Sequence, residues 1–290
     1  MKERSSFSGK IGFVLAAAGS AVGLGNIWRF PYLAAKNGGG LFLLCYIILA
    51  LTFGFTLLTT EIAIGRKTKQ SPLTAYGVIH KGWNKLGVLA CIVPVIILPY
   101  YCAIGGWVVK YLCTFIIGHD ADTVADGYFT GFITSDVAPI IYAVIFILAT
   151  SVIVFLGVEG GIEKYSKILM PALFVMIVGI AIYSLTLKKE VDGNIVSGLD
   201  GLKVYILPDF TGLTFSRLLS VILDAMGQLF YSISVAMGIM IAYGSYVKKD
   251  VNLMTSINQI EIFDTLVAFF AGLMIIPAVF AFDPNTGETM

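Results

Sequence analysis

The stretch Gly19-Ser-Ala-Val-Gly-Leu-Gly-Asn-Ile-Trp-Arg-Phe-Pro31 places three glycines, an asparagine, an arginine and a proline inside the first long apolar segment of the chain. Backbone N–H and C=O groups without hydrogen-bond partners are costly in hydrocarbon. A membrane helix is therefore interrupted only where neighbouring protein or a water-filled cavity can satisfy those groups. A buried guanidinium such as that of Arg29 also needs a partner or a pathway. The stretch predicts a discontinuous helix whose freed carbonyls and amides face a ligand. The alternative is a small-residue contact between helices at Gly19-Ser-Ala-Val-Gly23.

The composition is that of an all-α, multi-span membrane protein. Of the 290 residues, 58% are hydrophobic and 13% are charged, and the mean hydropathy is +0.89, whereas about a quarter of a soluble domain is charged. The net charge of +1 gives no indication of a nucleic-acid partner. A span takes about 20 apolar helical residues. We predict seven spans, at Ile11–Ala35, Leu41–Ile64, Leu86–Ile117, Pro139–Leu156, Ile168–Leu187, Leu218–Tyr243 and Ile257–Phe282.

Basic residues in the short loops indicate the orientation of the chain, because loops rich in Lys and Arg tend to stay in the cytoplasm. They cluster before the first span and in the second, fourth and sixth loops, at residues 2–10, 66–85, 164–167 and 248–249. The third loop has four aspartates and no Lys or Arg, whereas three lysines make the fifth loop an exception. We therefore predict a cytoplasmic N-terminus and a location in the plasma membrane.

The sixth predicted span is interrupted like the first. Ser232, Ser234 and Gly238 break its apolar run. Serines can bond back within a helix and mean little alone. In transporters built from inverted repeats, however, two broken helices at matching positions point to the binding site. The positive end of a half-helix there binds an anionic group, while unwound carbonyls bind cations.

Oxygen atoms in and near these two segments have the chemistry that sodium, a hard cation, prefers. They are the carbonyls of Gly19, Ala21 and Val22, the Asn26 amide oxygen and the Ser232 hydroxyl.

Four further polar residues lie within predicted spans. Glu61 and Asp264 must be paired, protonated or ion-bound there. We favour Asp264 as a ligand, and interpret Glu61 as a cap for broken backbone or an interfacial charge. Tyr100 and Tyr101 are adjacent and cannot share one helix face, so at most one is expected to donate to a substrate carboxylate.

Other kinds of site are not indicated by the sequence. The four cysteines lie in apolar segments, which is typical of small buried hydrophobes. His80 and His119 have no second ligand at metal spacing. An intramembrane hydrolase would need a nucleophile beside a base, or two close carboxylates, and no such pairing is evident. We expect no enzymatic activity.

Five stretches are distinctive together: residues 19–31, Asn37-Gly-Gly-Gly40, Glu61-Ile-Ala-Ile-Gly-Arg66, Gly161-Ile-Glu-Lys-Tyr-Ser-Lys167 and Tyr243-Gly-Ser-Tyr-Val-Lys-Lys-Asp250. They resemble the signature stretches of the neurotransmitter:sodium symporter family, particularly its bacterial amino-acid transporters. The resemblance runs the length of the chain. It implies an inverted-repeat fold with broken helices 1 and 6, and sodium-coupled symport by alternating access around a midplane site.

The resemblance also implies the ligands of two sodium ions. The first site would use the substrate carboxylate together with the Ala21 carbonyl, Asn26, Ser232 and Asp264. The second would use the carbonyls of Gly19 and Val22.

The substrate site implied by the resemblance surrounds an amino acid. Its carboxylate would meet the amides of Gly23, Leu24 and Gly25 and the Tyr101 hydroxyl. Its ammonium group would lie near the carbonyls of Ala21, Tyr231 and Ser234. Its side chain, apolar or aromatic, would pack near Ile97, Tyr231 and Met237. Monoamine carriers of the family have an acidic residue at the position of Gly23, where glycine leaves room for a carboxylate.

Gates and anion dependence follow from the same resemblance. Arg29 would belong to an external gate, and the cytoplasmic gate would contain Arg4, Phe7 and Tyr246. Asp264 stands where many relatives have asparagine, and its charge would replace a bound chloride. We therefore expect sodium dependence without a chloride requirement, although Tyr46, Gln228 and Ser232 fit parts of a chloride site.

The expected spans are about seven of the eleven or twelve that the family has. Residues 1–187 would form the first five-span repeat, and residues 188–290 an external loop with spans six and seven of the single transmembrane domain. We expect a fragment of a longer symporter. The alternatives are a chain completed by another, or a non-transporting structural or regulatory membrane subunit. Binding of an amino acid that depends on sodium would separate a transporter from the other classes.

Overall fold

The computed structural model of the protein describes residues 6–191 and 194–282. In chain order the helices are α1 (Lys10–Ala21), α2 (Gly25–Lys36), α3 (Gly40–Thr68), α4 (Pro72–Ile79), α5 (Lys81–Ile117), α6 (Tyr128–Ile133), α7 (Ala138–Phe155), α8 (Val158–Thr186), α9 (Gly198–Ile206), α10 (Phe215–Ser232), α11 (Ile239–Ser245) and α12 (Leu253–Phe282), with a 3-10 turn at Asp120–Val124. An antiparallel hairpin pairs β1 (Lys188–Val191) with β2 (Asn194–Ser197).

Six of the seven predicted spans have a counterpart that is long and apolar enough to cross a membrane. In the described part of the chain, α3, α5, α7, α8 and α12 are continuous, while α1 and α2 form a pair bent by 52°. The predicted span Leu218–Tyr243 is occupied by α10 and α11 and by the non-helical residues between them. The two interruptions predicted from the sequence are therefore present.

The two breaks differ in backbone geometry. After α1, Val22 is extended, with φ −79° and ψ 111°, and α2 opens with the π-turn Gly25–Arg29. Between α10 and α11, Ser234, Ala236 and Gly238 have φ values of 55°, 61° and 72°. Left-handed backbone is uncommon for residues with a side chain, so neighbouring groups must stabilise the second break.

Glycines let α3 approach the α10–α11 region at backbone distance. A Cβ on Gly65 would lie 2.0 Å from the Ile241 carbonyl oxygen, and one on Gly244 would lie 2.4 Å from that of Ile62. Small residues allow such packing between membrane helices. α7 lies at the periphery, where all its described side chains are at least partly exposed. The broken helices, α3 and α12 thus form the interior of the bundle.

The connection before the second broken helix is more ordered than a plain loop. Ser197 and Asp200 form a reciprocal cap at the start of α9. Hydrogen bonds from the Ser197 hydroxyl and from Lys203 hold the pKa of Asp200 below its ordinary value. This segment contacts the core through Tyr205, whose hydroxyl donates to the Phe269 carbonyl over 3.1 Å. The cap fixes the start of α9, and the Tyr205 contact holds the segment against α12.

Candidate functional site

Three polar side chains meet between the two broken helices and α12. The Asn26 side-chain amide donates to Asp264 Oδ1 over 2.8 Å. The Ser232 hydroxyl lies 2.8 and 3.0 Å from the two carboxylate oxygens of Asp264. At most 1% of each residue's surface is exposed. The structure therefore brings three of the predicted sodium ligands together, and we call Asn26, Ser232 and Asp264 the carboxylate cluster.

The carboxylate cluster contains a buried carboxyl group that has hydrogen-bond donors but no counter-charge among the described residues. Tyr46 donates a longer bond of 3.4 Å to Asp264 Oδ2. Among the described residues, no Lys, Arg or His forms an ion pair with Asp264. Because an ionised carboxylate is costly to bury without a counter-charge, the cluster is suited to a small cation with oxygen ligands. Asn26 Oδ1 accepts a long 3.3 Å bond from the Gly23 N–H.

Carbonyls of the last turn of α1 lack a following helical turn to bond to, because the helix ends at Ala21. The Ser234 hydroxyl crosses from the second break and donates to the Ser20 carbonyl over 3.2 Å. Gly19 faces α8, since a Cβ there would lie 3.3 Å from the Ser166 hydroxyl. The two breaks are thus in contact, while a sodium site at the Gly19 and Val22 carbonyls stays a prediction.

Two long polar side chains bridge the breaks to the rest of the bundle. The backbone N–H of Ala236 donates to Glu61 Oε1 over 2.7 Å, which confirms the interpretation of Glu61 as a cap for broken backbone. The Gln228 side-chain amide donates to the Gly25 carbonyl over 2.8 Å. Both residues therefore help to hold unwound backbone in place.

An aromatic cavity of about 200 Å³ adjoins the first break; it is lined by Leu24, Trp28, Arg29, Tyr32, Tyr100 and Tyr231. The Tyr231 ring leaves no room for a side chain at Gly25, where a Cβ would lie 2.8 Å from it. The Tyr101 hydroxyl would lie 3.9 Å from a Cβ on Gly23. The Tyr101 and Tyr231 ring centroids are 6.2 Å apart. These predicted substrate residues are therefore neighbours, with Tyr100 at the cavity.

The predicted gate residues lie at two separate places. The Arg29 guanidinium lies 5.3 Å from the Tyr231 ring centroid and donates to the Gly227 carbonyl over 3.5 Å. Phe7 stacks on Tyr243 with centroids 5.9 Å apart, and its N–H donates to the Tyr246 carbonyl over 3.2 Å. Phe7 and Tyr246 are thus together, whereas Arg4 lies outside the described residues.

Sequence reasoning missed some of the surroundings of the site. The sequence points to Tyr46 as part of a chloride site and gives no sign of its bond to Asp264. Glu261 is a carboxylate 6% exposed within α12, and the signal that could have found it is an acidic residue in a predicted span. Ile97 and Met237 are partly exposed, and their contact with a substrate stays a prediction.

Comparisons with known proteins agree with the geometry. A family model described as the sodium:neurotransmitter symporter family matches residues 4–119 and 134–288. The chain is 35% identical to the sodium-dependent transporter YhdH of Bacillus subtilis over 98% of this chain and 62% of that protein. It is 27% identical to the sodium-dependent neutral amino acid transporter B(0)AT2 of Pongo abelii, over 98% of this chain and 41% of that protein.

A solved structure is also similar. The crystal structure of MhsT in complex with L-phenylalanine has a TM-score of 0.86 and 38% sequence identity to this chain, over 97% of this chain and 62% of MhsT. The chain thus spans less than two thirds of the length of these relatives. Two of these relatives, YhdH and B(0)AT2, are sodium-dependent transporters. This chain belongs to the sodium:neurotransmitter symporter family.

Proposed function

We propose that the protein is the sodium- and substrate-binding part of a symporter that couples amino-acid movement to a sodium gradient by alternating access. The observation that carries this proposal is the meeting of Asn26, Ser232 and Asp264 at two broken helices. In this scheme residues 1–187 form the first repeat, and residues 188–290 form an external loop and the start of the second.

Sodium at the carboxylate cluster would supply the counter-charge that buried Asp264 lacks among the described residues. Its remaining ligands would be the substrate carboxylate and oxygens of Ala21, Asn26 and Ser232. A second sodium ion would use the carbonyls of Gly19 and Val22, at the end of α1.

The substrate carboxylate would bind at the first break. The N–H groups of Gly23, Leu24 and Gly25 lie at the positive N-terminal end of α2, which favours an anionic group. The absence of a Cβ at Gly23 leaves space in front of the Tyr101 hydroxyl. The ammonium group would lie near the carbonyls of Ala21, Tyr231 and Ser234.

An apolar or aromatic substrate side chain fits the lining of this region. Tyr231 and Leu24 line the cavity, and Ile97 and Met237 would complete the contact. Two similar proteins support this class: MhsT was solved with L-phenylalanine, and B(0)AT2 is a neutral amino acid transporter. We therefore use L-phenylalanine as the probe.

Chloride should not be required. The Asp264 carboxylate accepts hydrogen bonds from Tyr46 and Ser232. These are two of the residues that would otherwise bind a chloride ion. A carboxylate and a bound anion contribute the same net charge to first order.

The gates would lie on opposite sides of the plasma membrane. With the N-terminus in the cytoplasm, Phe7, Tyr246 and Arg4 would close the cytoplasmic side. Arg29, above Tyr231, would close the external side.

Equilibrium binding of radiolabelled L-phenylalanine to the purified protein tests the proposed function. Binding should be saturable in sodium and weak when choline replaces it. Asn26→Leu removes one oxygen ligand of sodium while keeping a side chain of similar volume. L-Phenylalanine binding to this variant should therefore no longer depend on sodium. Asn84→Leu, at the exposed first residue of the long α-helical part of α5, should behave like the parent. Binding that is equal in sodium and choline would refute the proposal.

A further inference from the structure

The connection between α3 and α5 is strongly basic. Residues 66–85 contain one arginine and four lysines, namely Arg66, Lys67, Lys69, Lys81 and Lys85. No Asp or Glu lies between Glu61 and Asp120 in the sequence. This connection therefore has five positive charges and no negative charge of its own.

Two of these five side chains are engaged within the protein. The Arg66 guanidinium donates to the Val251 carbonyl over 2.7 Å, and the Lys69 ammonium group donates to the Val247 carbonyl. The other three lysines are exposed, and none of them forms an ion pair with a described acid. Their charges are available to an anion from outside the protein.

Apolar side chains lie exposed beside these lysines. They are Leu73, Val78, Ile79 and Trp83, with exposed fractions between 41% and 61%. Since α3 and α5 are both long and apolar enough to cross a membrane, the α4 helix that joins them lies at a membrane surface. A short helix with apolar and basic side chains lies in the plane of that surface, and tryptophan prefers the level of the lipid headgroups.

The same helix packs against the second break. A Cβ on Gly238, which has a φ of 72°, would lie 2.6 Å from the Pro72 Cβ. The Tyr76 phenol interacts electrostatically with Glu61, the residue that caps Ala236. The first turns of α4 therefore support the end of the second break from the membrane surface.

We propose that Lys81, Trp83 and Lys85 bind the headgroup of an anionic phospholipid, and that the bound lipid holds α4 against the second break. A phospholipid fits better than a soluble phosphate, because its acyl chains would also cover the exposed apolar side chains. The effect on the second break rests on the proposed substrate site. The lipid site does not depend on it.

Electrostatics fixes the size of the expected lipid preference. A lysine near an anionic membrane surface favours an anionic lipid over a neutral one by about fivefold. We therefore expect phosphatidylglycerol to be enriched about fivefold or more over phosphatidylcholine beside Trp83. The enrichment should fall towards one at about 1 M salt, where the Debye length is about 3 Å.

Tryptophan fluorescence in lipid nanodiscs tests the lipid site. Trp28→Phe combined with Trp107→Phe leaves Trp83 as the one tryptophan of the sequence. In equal mixtures of the two lipids, with bromine on the acyl chains of one or the other, brominated phosphatidylglycerol should quench Trp83 more strongly. Adding Lys81→Gln and Lys85→Gln should make the two lipids quench equally. The control adds Lys188→Gln and Lys189→Gln, at exposed lysines of β1, and should keep the difference.

Equal quenching by the two brominated lipids, before the lysines are changed, would overturn the lipid site. An undiminished difference after Lys81→Gln and Lys85→Gln would overturn it too. If the single-tryptophan protein does not fold, the difference in quenching between the parent and Trp83→Phe decides in the same way.

L-Phenylalanine binding in nanodiscs of each lipid tests the effect on the second break. The parent should bind about fivefold more tightly in phosphatidylglycerol, whereas the variant with Lys81→Gln and Lys85→Gln should bind equally in both lipids. Equal affinity of the parent in both lipids would overturn this effect and leave the lipid site and the proposed function standing. Absence of binding in either lipid would refute the proposed function, and the quenching result would still decide the lipid site.

Discussion

Asp264→Asn removes one negative charge from the centre of the carboxylate cluster while keeping an amide oxygen as a ligand. Asp264 is fully buried, and its oxygens lie 2.8 Å from both the Asn26 and the Ser232 donors. A unit charge about 4 Å from a cation is worth about 4 kcal/mol at an effective dielectric constant near 20. Since about 1.4 kcal/mol is tenfold in affinity, we expect sodium affinity to fall by roughly a hundredfold to a thousandfold.

The assay is a sodium titration of L-phenylalanine binding in gluconate medium, repeated with chloride. The parent should give the same curve in both media. Asp264→Asn should need far more sodium in gluconate and recover part of its affinity in chloride. Asp224→Asn is the control, because that carboxylate pairs with Lys36 over 3.5 Å outside the cluster. A variant with the parent's sodium requirement in gluconate, or a parent that requires chloride, would refute the reasoning.

Two further substitutions test the substrate site and the packing. Tyr101→Phe deletes a charge-assisted hydrogen bond worth about 1.5–3 kcal/mol, so L-phenylalanine should bind roughly tenfold more weakly or worse. The measurement is a binding isotherm for each variant. If Tyr100→Phe shows that loss and Tyr101→Phe does not, Tyr101 is not the donor to the substrate carboxylate. Gly65→Ala would place a Cβ 2.0 Å from the Ile241 carbonyl oxygen and should lower the thermal unfolding midpoint. Gly179→Ala, with open space at its Cβ, should leave that midpoint unchanged, and equal midpoints for both variants would contradict the close contact of α3 with α11.

Apolar length and helix-breaking residues predicted the spans and both breaks. The glycines at 19, 23 and 25 suit the extended Val22 and the π-turn that follows. Ser232 and Gly238 marked the second break, because each lies at one of its ends. These features are local, so the sequence pattern carries them.

Features set by distant contacts could not be predicted in the same way. The left-handed backbone at Ser234 and Ala236 depends on Glu61, which is remote in sequence and caps this break. The π-turn at Ala50–Gly54 lies in an uninterrupted apolar run. The hairpin between α8 and α9 lies in a segment predicted only as a loop. Each is decided by tertiary packing rather than by local propensity or hydropathy.

The reciprocal coupling of sodium and L-phenylalanine tests the central claim most directly. If the substrate carboxylate is itself a sodium ligand, each ligand must raise the affinity of the other by the same factor. Equilibrium dialysis of the purified protein with radioactive sodium, at zero and saturating L-phenylalanine, gives one factor, and the converse titration gives the other. We predict two equal factors well above one, both reduced to about one in Asn26→Leu. Sodium and L-phenylalanine that bind independently of each other in the parent would contradict a shared site at the carboxylate cluster.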